Sequence, residues 1–232
     1  MISREHILPA ITSISGSWRS KVEEIDKLGI KKAALFPTCL NSLQRQDLYN
    51  LLEKTKIEEI PFVHLRSDMS PQEIDFLIKR YKTKVFNIHS PIHRPLLFDL
   101  SSFRGLICIE NTIFSLSEKI LKTFAGFCID FSHLENDRIL KPERYKEFCE
   151  LISSTVVGCN HISAVRKEPF FDERAQEDRI ACHFLQDFSE LDYLKNYPQE
   201  YFSKYIALEL ENDLKTQLEA KNYIFDLLKD CW

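Results

Sequence analysis

Glu110, Asp130, His161 and Glu209 each close a separate short apolar run: Gly105-Leu-Ile-Cys-Ile-Glu110, Gly126-Phe-Cys-Ile-Asp130, Val156-Val-Gly-Cys-Asn-His161 and Tyr205-Ile-Ala-Leu-Glu209. Carboxylates and imidazoles are the side chains that hold divalent ions. A single such residue at a strand end is most often a loop residue or a helix cap. Four of them at four strand ends predict a shared site, because parallel strands in a barrel bring their carboxyl ends to one rim. The histidines repeat the pattern. His64 lies at the end of Phe62-Val-His-Leu65, His89 at the end of Asn87-Ile-His-Ser90, and His133 follows Asp130 by three positions. Strand ends make up roughly a tenth of such an architecture, so chance would put about one of the histidines there. His6 and His93 are assigned structural or surface roles.

The elements that must position these residues are legible as alternation. Apolar, β-branched or aromatic runs recur at 7–14, 32–37, 60–65, 84–89, 105–110, 126–131, 155–162 and 205–210, mostly separated by one amphipathic helical pattern. Ser70-Pro-Gln-Glu73 supplies an N-cap, a first-turn proline and a capping-box glutamate, with Ile74, Leu77, Ile78 and Tyr81 on one face. Further helices are expected at 18–28, ended by Gly29, and at 42–54, 116–124, 142–152, 188–196 and 214–228. The fourth unit has room only for a short helix in 93–103. Eight strand-helix units in a chain of 232 residues predict a single α/β domain over 1–232, a (β/α)8 TIM barrel, with an open doubly wound sheet as the alternative. The long segment after the seventh run, 166–179, is charged with adjacent Phe170 and Phe171. It reads either as a mobile rim segment that closes over a site or as a solvated loop.

Composition narrows the function classes. No run approaches the roughly 20 apolar residues that span a bilayer, and the amino terminus lacks the apolar segment of a secretory signal. A cytoplasmic protein is expected. The seven Cys show no C-x-x-C spacing and mostly lie inside apolar runs, which reads as reduced core thiols. Cys182 stands beside His183, but adjacent residues on an extended chain point apart, which argues against a catalytic Cys-His pair. A formal charge of −4 and a pI near 6.0 argue against a nucleic-acid or membrane partner, although a local basic groove stays compatible with an acidic protein.

Taken jointly and in order, Glu ending the fifth strand (Ile109-Glu-Asn111), Asp-x-x-His in the sixth (Asp130-Phe-Ser-His133), His ending the seventh (Asn160-His-Ile162) and Glu ending the eighth (Ala207-Leu-Glu209) resemble the xylose-isomerase-like barrel superfamily. That group includes sugar isomerases, ketose epimerases and apurinic-site endonucleases. The resemblance covers most of the chain. It implies one divalent ion (Mn, Zn, Co or Mg) held by Glu110, Asp130, His161 and Glu209, with His133 beside it and Arg166 available for substrate oxygens. Glu211 shares a strand face with Glu209 and is an alternative ligand.

Two chemistries occur in the superfamily, and the sequence has features of both. His64, His89, His133 and His183 resemble additional zinc ligands of the endonucleases, but an Asp of that pattern is Ala181 here. In the sugar enzymes, histidines at strands three and four line the pocket instead. The reading favoured is a metal-dependent isomerase or epimerase of a carbohydrate-like hydroxy-carbonyl compound, working through a metal-stabilised enediolate. By resemblance, Glu110 and Glu209 exchange the proton, His133 holds a substrate hydroxyl, and His64, His89, Arg166 and His183 surround the substrate. The alternatives are a zinc-dependent phosphodiesterase acting at abasic sites and a barrel that binds a metal or ligand without turning it over.

Overall fold

The computed structural model describes residues 2–173 and 175–229. Its parallel sheet comprises β1 (Ile7–Leu8), β2 (Ala10–Thr12), β3 (Ala34–Phe36), β4 (Phe62–His64), β5 (Val85–Ile88), β6 (Ile107–Glu110), β7 (Gly126–Asp130), β8 (Val157–Ile162) and β11 (Ile206–Leu208). Going around the sheet, the order is β1-β11-β8-β7-β6-β5-β4-β3-β2. β1 pairs with β11 and β2 pairs with β3. Only Pro9 separates β1 from β2, and its missing N–H cannot join a ladder. The two pieces are therefore halves of one staggered strand, and the chain itself closes an eight-stranded α/β barrel. This closure excludes the open doubly wound sheet.

Strand alternation sorts the side chains. Phe36, Phe62, Val85, Cys108, Cys128, Cys159 and Ala207 fill the barrel interior together with Leu8, Ala10 and Ala34. Val63, Phe86, Ile88, Ile107, Ile109, Phe127, Ile129, Ile162, Ile206 and Leu208 belong to the larger core under the helices. Two positions beyond Phe62, Cys108, Cys128, Cys159 and Ala207 stand His64, Glu110, Asp130, His161 and Glu209. Side chains repeat every second residue along a strand, so the interior layer is floored by apolar groups and topped by ligand types. One irregularity keeps this parity. Between β7 and β8 the register shifts from Phe127↔Val157 to Cys128↔Cys159, leaving Gly158 as an extra residue that turns Cys159 and His161 inward. A Cβ on Gly158 would lie 2.4 Å from Cys108 Sγ, and one on Gly126, at φ 149, would lie 2.3 Å from the Val156 carbonyl oxygen. The bulge thus needs both glycines.

Helices α1 (Trp18–Leu28), α2 (Ser42–Leu52) and α3 (Pro71–Tyr81) follow the first strands as expected. Ser70 caps α3, accepting from the Glu73 amide at 3.2 Å. The Glu73 carboxylate does not complete the capping box. It accepts from Arg45 Nε and Tyr49 Oη, each at 2.7 Å. Elsewhere the expectations need correction. After β5 there is only a 3-10 helix, Ser101–Leu106, and α4 (Glu118–Leu121) is a single turn. Between β7 and β8 lie two helices, α5 (Phe131–Leu140) and α6 (Pro142–Ser153), where sequence periodicity shows only the second. Phe188–Asn196 is a 3-10 helix, and α7 (Leu214–Leu228) ends the fold. The charged segment after β8 is not an irregular loop. Residues Ala164–Asp172 (β9) and Glu177–Cys182 (β10) form an antiparallel hairpin. It is tied to α5 by the Ile180 amide on Asn136 Oδ1 at 2.8 Å. Among the described residues, no helix is long and apolar enough to cross a membrane.

Candidate metal centre

At the carboxyl end of the barrel the strand ends converge on His161. Its Nδ1 lies 3.2 Å from Glu209 Oε2, 3.6 Å from Glu110 Oε2 and 3.9 Å from Asp130 Oδ2. The imidazole is fully buried, and both its ring nitrogens, like Asp130 Oδ2, lack a hydrogen-bond partner among the described residues. Below it, the rings of Phe36 and Phe62 pack at 4.9 and 5.4 Å between centroids. Buried polar atoms are almost always satisfied, and these groups, with the carboxylates that face them, are of the kind that could hold a metal ion.

The neighbours orient the ligand groups. Glu110 accepts from Asn87 Nδ2 at 2.6 Å and lies 3.1 Å from His64 Nε2. His64 Nδ1 is fixed by the Leu65 carbonyl at 2.8 Å. Asn111 clips β6 to β7 beyond the regular ladder: its side chain accepts from the Asp130 amide at 2.7 Å and donates to the Asp130 carbonyl at 2.9 Å. Asp130 is also the N-cap of α5, with Oδ1 accepting from the His133 amide at 2.9 Å and from Ser132 Oγ at 2.7 Å. Oδ1 is thereby used up locally, and Oδ2 remains for the centre. His133 stands in the first turn of α5 and not on a strand, with Nδ1 3.7 Å from Asp130 Oδ2.

Charge within the cluster follows from this packing. Burial alone would raise the Glu110 carboxyl, but His161, His89 and His64 outweigh it and hold it well below the usual carboxylate range. Burial acts the same way on Glu209, yet His183 and His161 bring it down to about 2. For His161, burial opposes the charged form, while Glu110, Glu209 and Asp130 raise the imidazole to about 9. Among the described residues, three sets each bring their potential ligand atoms within 4.8 Å of one another: Asp130-His161-Glu209, Glu110-Asp130-His133 and His64-His89-Glu110. Beside them a cavity of about 290 Å³ opens between His89, His133, His183, Arg179, Phe114 and Ile14.

No family model matches the chain, and no curated protein matches it. Among solved structures it is similar to a xylose isomerase-like TIM barrel protein from Mycobacterium smegmatis, determined in complex with magnesium. The two share 11% identity at a TM-score of 0.49, over 100% of this chain and 99% of the other.

Of the residues singled out from sequence, Glu110, Asp130, His161 and Glu209 meet at the centre, and His64, His89 and His133 surround them. His183 borders the cavity, with Nδ1 3.3 Å from both Ser163 Oγ and the Glu209 carbonyl. Arg166 is not brought to the centre. Its guanidinium pairs with Glu190 and donates to the Phe184 carbonyl at 2.7 Å and to Cys182 Sγ at 3.3 Å. Glu211 is likewise engaged elsewhere, accepting from the Ile14 amide at 3.2 Å and the Ser15 amide at 2.9 Å and facing buried Lys21 at 3.6 Å. Asn87 and Asn111 were missed. The signal was there, since Asn87 shares a strand face with His89, and Asn111 directly follows Glu110. His93, assigned a structural or surface role, stacks on Phe114 at 4.2 Å and borders the cavity.

Proposed function

We propose that the chain is a divalent-metal-dependent isomerase or epimerase of a small, carbohydrate-like hydroxy-carbonyl compound. The observation that carries the reading is the convergence of three carboxylates on a buried His161 whose ring nitrogens have no hydrogen-bond partner among the described residues. Unpaired buried polar groups are costly, and a divalent ion would satisfy Asp130 Oδ2 and His161 Nδ1, the ring nitrogen that faces the carboxylates. The mixed nitrogen and oxygen donors suit Zn, Mn, Co or Mg. When bound, the ion supplies a Lewis acid for adjacent carbonyl and hydroxyl oxygens.

The residues then divide the work. Glu110 and Glu209 come from β6 and the end of β11 and are held ionised by the surrounding histidines, the form in which a carboxylate accepts a proton. One takes the proton from the carbon beside the carbonyl and exchanges it with solvent, and the other, after taking up a proton from solvent, delivers it to the substrate. Asn87 fixes the rotamer of Glu110. His133, His89 and His183 border the cavity and orient substrate hydroxyls, and a volume of about 290 Å³ suits a small molecule. Turnover of an aldose or ketose substrate in deuterated water should label the carbon next to the carbonyl. Product formed without label would remove the proton-transfer mechanism, and no turnover across a broad panel of sugars would remove the assignment.

A second reading, metal-dependent phosphodiester hydrolysis, draws on the His64-His89-Glu110 set, which shares Glu110 with the centre and could hold a second ion. Metal content separates the two. One ion per chain supports the isomerase, whereas two zinc ions together with cleavage of abasic DNA support the phosphodiesterase.

A further inference from the structure

A second cavity, of about 220 Å³, lies past the carboxyl ends of β4 and β5, with Thr38, His64, Arg66, Ser67, His89 and Arg94 as its polar lining. It adjoins the metal centre, because two of its walls, His64 and His89, stand 3.1 and 3.8 Å from the Glu110 carboxylate. Its lining contains no carboxylate. Arg66 is held in place by Asp68 at 2.9 Å and by the Thr38 carbonyl, while Asp68 is shared with Arg45 at 3.2 Å. Arg94 has no ion-pair partner among the described residues and borders both this cavity and the larger one. Thr38 Oγ1 is buried without a hydrogen-bond partner among the described residues. The Leu97 amide donates to the Ser67 carbonyl at 2.9 Å, so the loop carrying Arg94 is pinned to the loop carrying Arg66 and Ser67. With no acid in the lining itself and Arg94 without a counter-charge among the described residues, the guanidinium and hydroxyl groups of this pocket fit a multivalent oxyanion, which the planar guanidinium fork matches.

We infer that this cavity holds the phosphoryl group of a phosphorylated hydroxy-carbonyl substrate whose reacting end reaches Glu110 and Glu209. The inference deepens the isomerase reading and rests on it for the reacting end alone. The sequence had given no hint of such a site, since no glycine-rich segment follows the last strands. Here side chains from two pinned loops take the place of a backbone cradle.

The test is calorimetry on the intact chain with inorganic phosphate, ribose 5-phosphate and ribose. Ribose 5-phosphate should bind about tenfold or more tightly than ribose, and the exposed substitution Arg94→Ala should weaken phosphate and ribose 5-phosphate by about tenfold or more. Magnesium binding by that variant should be unchanged, which shows that it is folded. Failure of the wild type to bind phosphate, or equal binding by R94A, overturns the inference. So does abasic DNA outcompeting ribose 5-phosphate at the Arg94 site. Glu209→Gln separates the two readings, because it should lose magnesium and keep phosphate. If wild-type protein binds no metal while phosphate binding still depends on Arg94, the isomerase reading fails and the phosphoryl site stands.

Discussion

Raising the pH from 7 to 9 should tighten divalent-metal binding, and the size of the effect comes from His161. Its imidazole is buried, which disfavours charge, but Glu110, Glu209 and Asp130 outweigh burial and raise it to about 9. Near pH 7 the metal-free protein therefore carries His161 as imidazolium, by about a hundred to one. A ring nitrogen must be neutral to ligate, so each ion bound displaces one proton. Apparent affinity should rise about tenfold per pH unit and level off near pH 9, for a total of about fiftyfold or roughly 2 kcal/mol. Isothermal titration with magnesium, repeated near pH 7, 8 and 9 in buffers of different ionisation enthalpy, measures both the affinity and the proton released. A flat affinity with no proton release would refute the reasoning, because it would mean that His161 is neutral in the cluster or takes no part in binding.

The same cluster makes the stability of the metal-free protein depend on pH. His161 lies above its ordinary value of 6.5, so its contribution is complete below that pH and is lost as pH rises through about 9. Glu209 lies below its ordinary 4.5, so its contribution is present above that pH and is lost as pH falls through about 2. Thermal melts should show both losses without metal and a smaller alkaline loss with it. Gly158→Ala should cost roughly 1 to 3 kcal/mol, since the new methyl would lie 2.4 Å from the buried Cys108 Sγ. Adding Cys108→Ala should restore most of the loss in denaturant unfolding, and equal stability of the single and double variants would count against the bulge argument. Asp130→Asn should keep the cap of α5 and weaken metal binding, whereas Asp130→Ala should lose the ion and also about 1 kcal/mol of stability. Identical melting temperatures for the two metal-free variants would show that the cap has no weight.

How far the sequence could be read depended on whether a residue faced a uniform layer. β6, β7 and β11 pack apolar groups on the outside and small or thiol groups within, and β8 does the same apart from Asn160, which bonds Tyr201 and Ser203 outside the barrel, so their terminal Glu, Asp and His stood out as breaks in an apolar alternation. Helix α5 gave no comparable signal. It buries Glu135, Asn136 and Asp137 together with Phe131 and Leu134, because polar partners cover it: Asn136 meets the hairpin at Ile180, Glu135 bonds Arg138, Asn196 and Tyr197, and Asp137 bonds Arg144. Its apolar stripe is interrupted, and periodicity passes over it. The hairpin was hidden for a related reason. Most of β9 is exposed, so no apolar alternation betrays the strand. Arg166 was assigned to substrate oxygens by resemblance alone, and the fold shows it paired with Glu190, 24 residues further on. Glu209 and Glu211 have equal claims on a strand face, and only the fold reveals that Lys21 and the Ser15 loop take the second.

The most direct test of the account is anomalous scattering from crystals grown with manganese. The account predicts a peak bounded by Glu110, Asp130, His161 and Glu209, with ligand distances of roughly 2.0 to 2.3 Å. A fully ordered site with no peak there, or with manganese bound only elsewhere on the chain, would contradict it.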